Sequence, residues 1–208
     1  MNKENKVPAT ASKVKITPED QLRADLYDYL AALLAGPPDQ ALLKKTVALK
    51  GDDSDLGVGF KALARVAAVK NGKSAESEFT ALFIGIGRGE LLPYASFYLT
   101  GFLNEKPLAS LRADMVGLRI TRSPNVFEPE DNIASLFEMM AGMILGRFGE
   151  PASLDQQKQF FNRHIGPWAG HFFSDLEAAK NSVLYAPVGA IGRVFMEIEQ
   201  EAFRMVAK

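Results

Sequence analysis

Apolar side chains recur along this chain three and four residues apart, and no stretch alternates at every second position. That spacing lines one face of a helix and does not line one face of a strand. Leu22, Leu26, Tyr29, Leu30 and Leu33 form the first stripe. It follows Thr17-Pro18-Glu19-Asp20, which offers an N-cap, a proline at the first helical position and acid in the first turn. Gly36-Pro37-Pro38 ends it, and Asp39 caps a second helix with Leu42, Leu43, Val47 and Leu49. Leu56, Phe60, Leu63, Ala67 and Val69 mark a third, stopped by Asn71-Gly72. Ser74 starts a fourth that carries Phe79, Leu82 and Phe83. After the loop from Gly85 to Pro93, a helix starts within Tyr94–Leu99 and another opens at Pro107. Thr121 to Phe127 reads as a loop, and Glu128-Pro129-Glu130-Asp131 leads a long apolar helix with Ile133, Leu136, Phe137, Met140 and Ile144. Ser153 caps a helix bearing Phe160, Phe161 and His164; Gly166-Pro167 interrupts it, and Trp168, Phe172, Phe173 and Leu176 follow. The last helix is predicted from about Ala186 to Met205. The expectation is all-α: a compact helical domain of about nine or ten helices over residues 17–208. Residues 1–16, polar and mildly basic, are read as a disordered tail.

The charge balance narrows the function. Lys+Arg is 24 and Asp+Glu is 25, a net charge of −1. That excludes a strongly basic nucleic-acid binder and an acidic disordered chain. Cysteine is absent, which removes disulfides, thiol nucleophiles, thiolate zinc sites and cysteine-held iron–sulfur clusters. His164 and His171 are too few for a multi-histidine metal site. No residue is therefore assigned to catalysis or to a metal, and no cofactor is expected. The first sixteen residues contain no apolar signal-peptide core, and no run reaches the ~18 apolar residues of a membrane helix. The expected location is the cytoplasm, without integral membrane association.

Four segments can carry chemistry. Gly85, Gly87 and Gly89 can expose backbone N–H groups to a phosphate. No strand precedes them and no Lys-Ser/Thr follows, so an interhelical turn fits better, with Arg88 able to touch an anion weakly. Glu128, Glu130 and Asp131 flank Pro129 and precede Asn132. They either meet the positive end of the following helix or form a mouth for a cationic ligand, because paired carboxylates take guanidinium groups bidentately. On that helix Met140 continues the core face, whereas Met139 lies off it and offers a soft apolar contact. His164-Ile165-Gly166-Pro167-Trp168 is either a helix corner in which His164 finds one hydrogen-bond partner or a ligand contact; His171 is assigned nothing.

Taken in order, Leu82-Phe83-Ile84-Gly85, Pro93-Tyr94-Ala95-Ser96-Phe97-Tyr98-Leu99, Glu128-Pro129-Glu130-Asp131-Asn132-Ile133 and His164-Ile165-Gly166-Pro167-Trp168 resemble the TorD-like family of cytoplasmic chaperones. That family matures molybdenum- or tungsten-containing oxidoreductases. The resemblance spans about Leu22 to Phe203. It implies an all-helical fold, no catalysis, and binding of an apo-enzyme precursor, often at its twin-arginine signal peptide, until the cofactor is in place. The family often has His after Glu-Pro-x-Asp; this sequence has Asn132, which hydrogen-bonds but cannot become positive.

A twin-arginine peptide has a basic front and a moderately apolar stretch. The expected partner is an apo-molybdoenzyme catalytic subunit or its signal peptide, with formate dehydrogenase among the clients that fit. Glu128, Glu130 and Asp131 would hold the guanidinium groups; Phe83, Tyr94, Tyr98 and the Met-bearing helix would take the apolar part. The full set of peptide-binding candidates is Phe83, Tyr94, Ser96, Tyr98, Glu128, Pro129, Glu130, Asp131, Asn132, Met139, His164 and Trp168. Two other classes stay open: a helical adaptor that contacts a folded redox subunit, and a hydrolase using the glycine loop or Glu128 with Asp131. Monomer and dimer are both compatible with the sequence.

Overall fold

Side-chain caps set most helix starts. In the computed structural model, which describes residues 15–122 and 127–205, Thr17 and Asp20 close a reciprocal capping box on α1 (Pro18–Leu34), and Asp39 caps α2 (Gln40–Val47). Ser54 caps α3 (Asp55–Ala67) and Asn71 caps α4 (Gly72–Phe79). Then come α5 (Ala95–Thr100), α6 (Lys106–Gly117), α7 (Ile133–Leu145), α8 (Leu154–Phe160), α9 (Ala169–Ala178) and α10 (Tyr185–Met205). The described residues thus hold ten α-helices and no strand, only an isolated antiparallel bridge between Tyr94 and Asn132. The fold is all-α. Most of the expected N-terminal tail, and the centre of the Thr121–Phe127 loop, lie outside the described residues.

Two helices continue differently from the prediction. α4 and α8 each pass into a wide π-helical turn, Thr80–Ile84 and Phe161–Ile165. Gly85 N–H reaches Thr80 O and Gly166 N–H reaches Phe161 O, both at 2.7 Å. The extra residue in the turn rotates the side chains that follow, which sequence periodicity over so short a span does not reveal. The carboxylates of Glu128–Asp131 do not sit in the first turn of α7. Its N-cap is Asn132, whose side chain accepts from Ala134 N–H.

α7 is the axis of the molecule. All but Ser135, Glu138 and Leu145 of its residues are buried, as its nearly unbroken apolar sequence dictates. It packs against α1, while α10 packs against α9 and α3. Tyr27 of α1 sits edge-on to Phe137 at 4.9 Å and to Phe195 at 4.7 Å. Its hydroxyl donates to Glu199, a buried carboxylate that also accepts from Arg23 Nε at 2.7 Å and Nη2 at 2.8 Å. Leu22 and Val69, placed on apolar stripes by spacing, are exposed instead. Met139, off the predicted face, is buried because α7 is covered on nearly every side.

α9 and α10 cross closely at glycines. A Cβ on Gly189 would stand 2.5 Å from Glu177 N and 2.7 Å from Phe173 O. Neither backbone atom can move without shifting α9. Gly189→Ala is therefore expected to lower the unfolding free energy by about 1–3 kcal/mol, read from the urea midpoint. An unchanged midpoint would contradict this crossing.

Candidate functional site

Two segments distant in sequence are stitched side by side ahead of α5 and α7. Ala95 N–H donates to Asp131 O at 3.0 Å, and Ile133 N–H to Pro93 O at 2.9 Å. Tyr94, the residue before α5, makes no side-chain cap. Asp131 supplies the cap from the other segment, its Oδ2 accepting from Ser96 N–H at 2.8 Å. Asp131 and Asn132 thus each hold a helix start, and three hydrogen bonds tie the two segments together.

Beside this stitch a groove of about 370 Å³ opens between the end of α1, the first π turn and α7. Leu34, Pro37, Phe83, Pro93 and Tyr94 give it apolar walls. Phe83 is fixed by Phe79 at 4.9 Å and by the edge of Tyr185 at 5.5 Å. A smaller depression of about 160 Å³, with Met139 and Phe148 in its lining, adjoins it. Glu128, Ser135 and Glu138 line both.

Electrostatics separate the acidic residues. Glu128 is exposed and accepts a hydrogen bond from the Tyr94 hydroxyl. Burial first, and the Glu128 carboxylate second, push the Tyr94 phenol well above its ordinary pKa. Glu138 is also raised, chiefly by lost hydration, then by Asp28, with Arg147 opposing. Arg147 is itself held by Asp28. Glu130 is different: Arg112 forks onto it at 2.8 and 3.0 Å and Arg122 stands 3.8 Å away. Burial would raise its carboxyl, but the hydrogen bonds from Arg112 hold it below the usual value.

Comparison with known proteins places this architecture. The profile of the family described as nitrate reductase delta subunit matches residues 50–174. The chain is similar to chaperone protein TorD of Aliivibrio fischeri, 23% identical over 206 aligned residues covering 89% of this chain and 96% of that one. It is 28% identical over 159 residues to chaperone protein TorD of Photobacterium profundum, covering 67% and 70% of the two chains. This chain belongs to the TorD family of redox-enzyme maturation chaperones. It is a chaperone and not an enzyme. In fold, the chain resembles a crystal structure of an Archaeoglobus fulgidus protein classed as a redox enzyme maturation protein. The TM-score is 0.56 at 20% identity, covering 94% of this chain and 99% of that one.

In this TorD-family chain the residues singled out by sequence divide into two sets. Phe83, Tyr94, Glu128 and Asn132 share the groove, and Glu128, Glu130 and Met139 share the adjoining depression. Pro129 is half-buried, its carbonyl accepting from Asn132 N–H at 3.1 Å. The others line neither. Ser96 and Asp131 are buried in the stitch. Tyr98 donates to Asp175 at 2.9 Å and packs 5.3 Å from Trp168. Trp168 is 1% exposed and donates from Nε1 to His164 O at 2.8 Å; His164 pairs with Asp114 at 2.7 Å. The three-carboxylate mouth is therefore corrected: Asp131 faces inward as a cap and Glu130 is already neutralised. The carboxylate that shares both hollows with Glu128 is Glu138, the one charged residue in the apolar run Ile133–Leu145. The glycine loop is a turn whose Arg88 guanidinium stacks over Phe97 at 5.1 Å.

His164 gives this chaperone a predictable acid response. Burial holds its imidazole below the ordinary value; Asp114 opposes that, and Arg163 adds to it. In the unfolded chain it titrates near about 6.5. Between the folded and unfolded values the unfolded chain binds more protons, so the contribution is full above the unfolded value and lost as pH falls. Urea midpoints taken from about pH 7.5 to about pH 5.5 are expected to fall less in His164→Gln than in the parent chain. Equal slopes would contradict it.

Proposed function

We propose that this chaperone holds the twin-arginine signal peptide of a molybdenum- or tungsten-containing oxidoreductase precursor, in the cytoplasm, until the cofactor is inserted. The reading rests on its membership of the TorD family and on one observation: Glu128 and Glu138 stand together on the divide between an aromatic-walled groove and a Met-lined depression. A basic front pairs with the two carboxylates, and an apolar stretch lies in the groove as a helix or extended strand of contacts. Each guanidinium is planar and takes a carboxylate through two parallel hydrogen bonds, which a lysine cannot do. Phe83 and Tyr94 supply the desolvated contact area that gives most of the affinity, while the carboxylates set approach rate and orientation. Binding near micromolar to submicromolar, about −8 to −9 kcal/mol, suits a client that is later released.

Calorimetry against a twin-arginine signal peptide and its twin-lysine counterpart tests this. The arginine peptide is expected to bind about tenfold tighter, and its affinity to fall with added salt. Equal affinities with no salt dependence would remove the reading. Phe83→Ala is expected to weaken the arginine peptide by about 2 kcal/mol, roughly thirtyfold, since a fixed aromatic wall is lost. An affinity within about twofold of the parent would show that the peptide lies elsewhere.

A further inference from the structure

One hollow of this chain is lined by a single sign of charge. It measures about 550 Å³, lies between the end of α2 and α3, and is walled by Leu49, Lys50, Val58, Lys61, Ala64 and Arg65. Val58, Lys61 and Arg65 are three and four residues apart and so share one side of α3. Among the described residues no carboxylate lines the hollow. Lys50 and Arg65 make no ion pair within the described chain, and Lys61 meets only Asp53, in a solvent-open surface pair that contributes little. The negative end of α2 is answered by Lys44 and Lys45 on its own last turn. The floor is apolar, and Val58 is 51% exposed on it. A Cβ on Gly51 would stand 1.9 Å from Gly57 O, so the loop that carries Lys50 lies hard against the first turn of α3.

We infer that this hollow docks an acidic, apolar-bearing peptide segment of a partner protein, with Lys50 and Arg65 taking its carboxylates and Leu49 and Val58 its apolar side chains. Charge complementarity selects the occupant: three cations and no acid in the lining favour an anion and repel a basic peptide. Arg65 stands in the last turn of α3 and favours that helix end by its charge alone, so its guanidinium keeps its hydrogen-bond donors for a ligand. A free phosphate fits less well. It would leave Leu49, Val58 and Ala64 uncovered, and no helix start opens here, since Ser54 Oγ already accepts from Gly57 N–H at the start of α3. An anionic lipid surface also fits less well. The hollow is concave, and the exposed Asp52, Asp53 and Asp55 beside it would be pressed against the headgroups. A peptide seated over Lys50 and Arg65 avoids them. None of these residues lines the groove or the depression beside α7, so the inference does not depend on that reading.

The test is an NMR titration of the whole chain with the capped peptide acetyl-Glu-Leu-Glu-Glu-Leu-amide, its Gln-for-Glu counterpart, sodium phosphate, and vesicles of phosphatidylcholine with phosphatidylglycerol. The acidic peptide is expected to shift the amides of Lys50, Val58 and Arg65, and the neutral one to bind about tenfold more weakly. The double substitution Lys50→Glu with Arg65→Glu is expected to weaken the acidic peptide about thirtyfold while moving Tm by less than about 2 °C, because both side chains are exposed and unpaired. Val58→Ala is expected to weaken it about fivefold, which a general attraction between charges would not produce. The inference is overturned if the acidic peptide causes no shift up to about 5 mM, or if either variant binds it like the parent. Phosphate or the vesicles binding tighter than the peptide would also overturn it, and would make the hollow an anion site or a membrane-facing surface instead.

Discussion

Trp168→Ala is expected to lower the unfolding free energy by about 3–5 kcal/mol in urea titration, while the folded protein binds a twin-arginine peptide within about twofold of the parent. The indole is the largest fully buried side chain, at 1% exposure. It packs 5.3 Å from the Tyr98 ring and 6.0 Å from Phe172. Truncation opens a cavity between α5 and α9 and strips His164 O of its donor, so a transfer loss, a void and an unpaired carbonyl add together. None of those atoms lines the groove or the depression beside α7. The opposite pattern, a small change in stability with a large loss of affinity, would put Trp168 on the binding surface.

The double substitution Glu128→Lys with Glu138→Lys is expected to weaken the twin-arginine peptide about a hundredfold at low salt, as each reversal replaces an attraction by a repulsion. Stability should fall by no more than about 1–1.5 kcal/mol per site: both side chains reach solvent, but Glu128 gives up its hydrogen bond from Tyr94. Glu130→Lys is the contrasting variant. It leaves Arg112 and Arg122 facing a third cation, so its primary cost falls on the fold. Its effect on the peptide should be smaller than that of the double reversal once the folded fraction is counted. The three acidic residues lie within eleven positions of one another, and only their partners separate their roles.

Much of the architecture was legible because helix signals are local. Thr17, Asp39 and Ser153 cap where their sequence context predicts, and α10 begins one residue before the predicted Ala186. The π turns were not legible. An extra residue in one turn leaves Phe83 and His164 apolar or polar as before and changes only where they point. At the site, Phe83, Tyr94 and Glu128 follow from residue type and order along the chain. The roles of Asp131 and Glu130 did not, because each is fixed by a partner far away in sequence: Ser96 N–H for one and Arg112 for the other. Glu138 is hard to single out by sequence, because α7 reads as a core helix and a single charge within it passes for a solvent-facing position. By sequence, Trp168 and His164 fit either a helix corner or a ligand contact. Only packing against α5 and α6 shows that their polar atoms are already paired.

Charge exchange across the groove is the most direct measurement. A signal peptide with both arginines replaced by glutamate should bind the parent chaperone negligibly in calorimetry. With the Glu128→Lys, Glu138→Lys double variant it should recover to within about tenfold of the parental pair, since the same two contacts are remade with signs inverted. If the exchanged peptide binds the variant no better than the arginine peptide does, Glu128 and Glu138 do not face the basic front, and the peptide is held by some other surface.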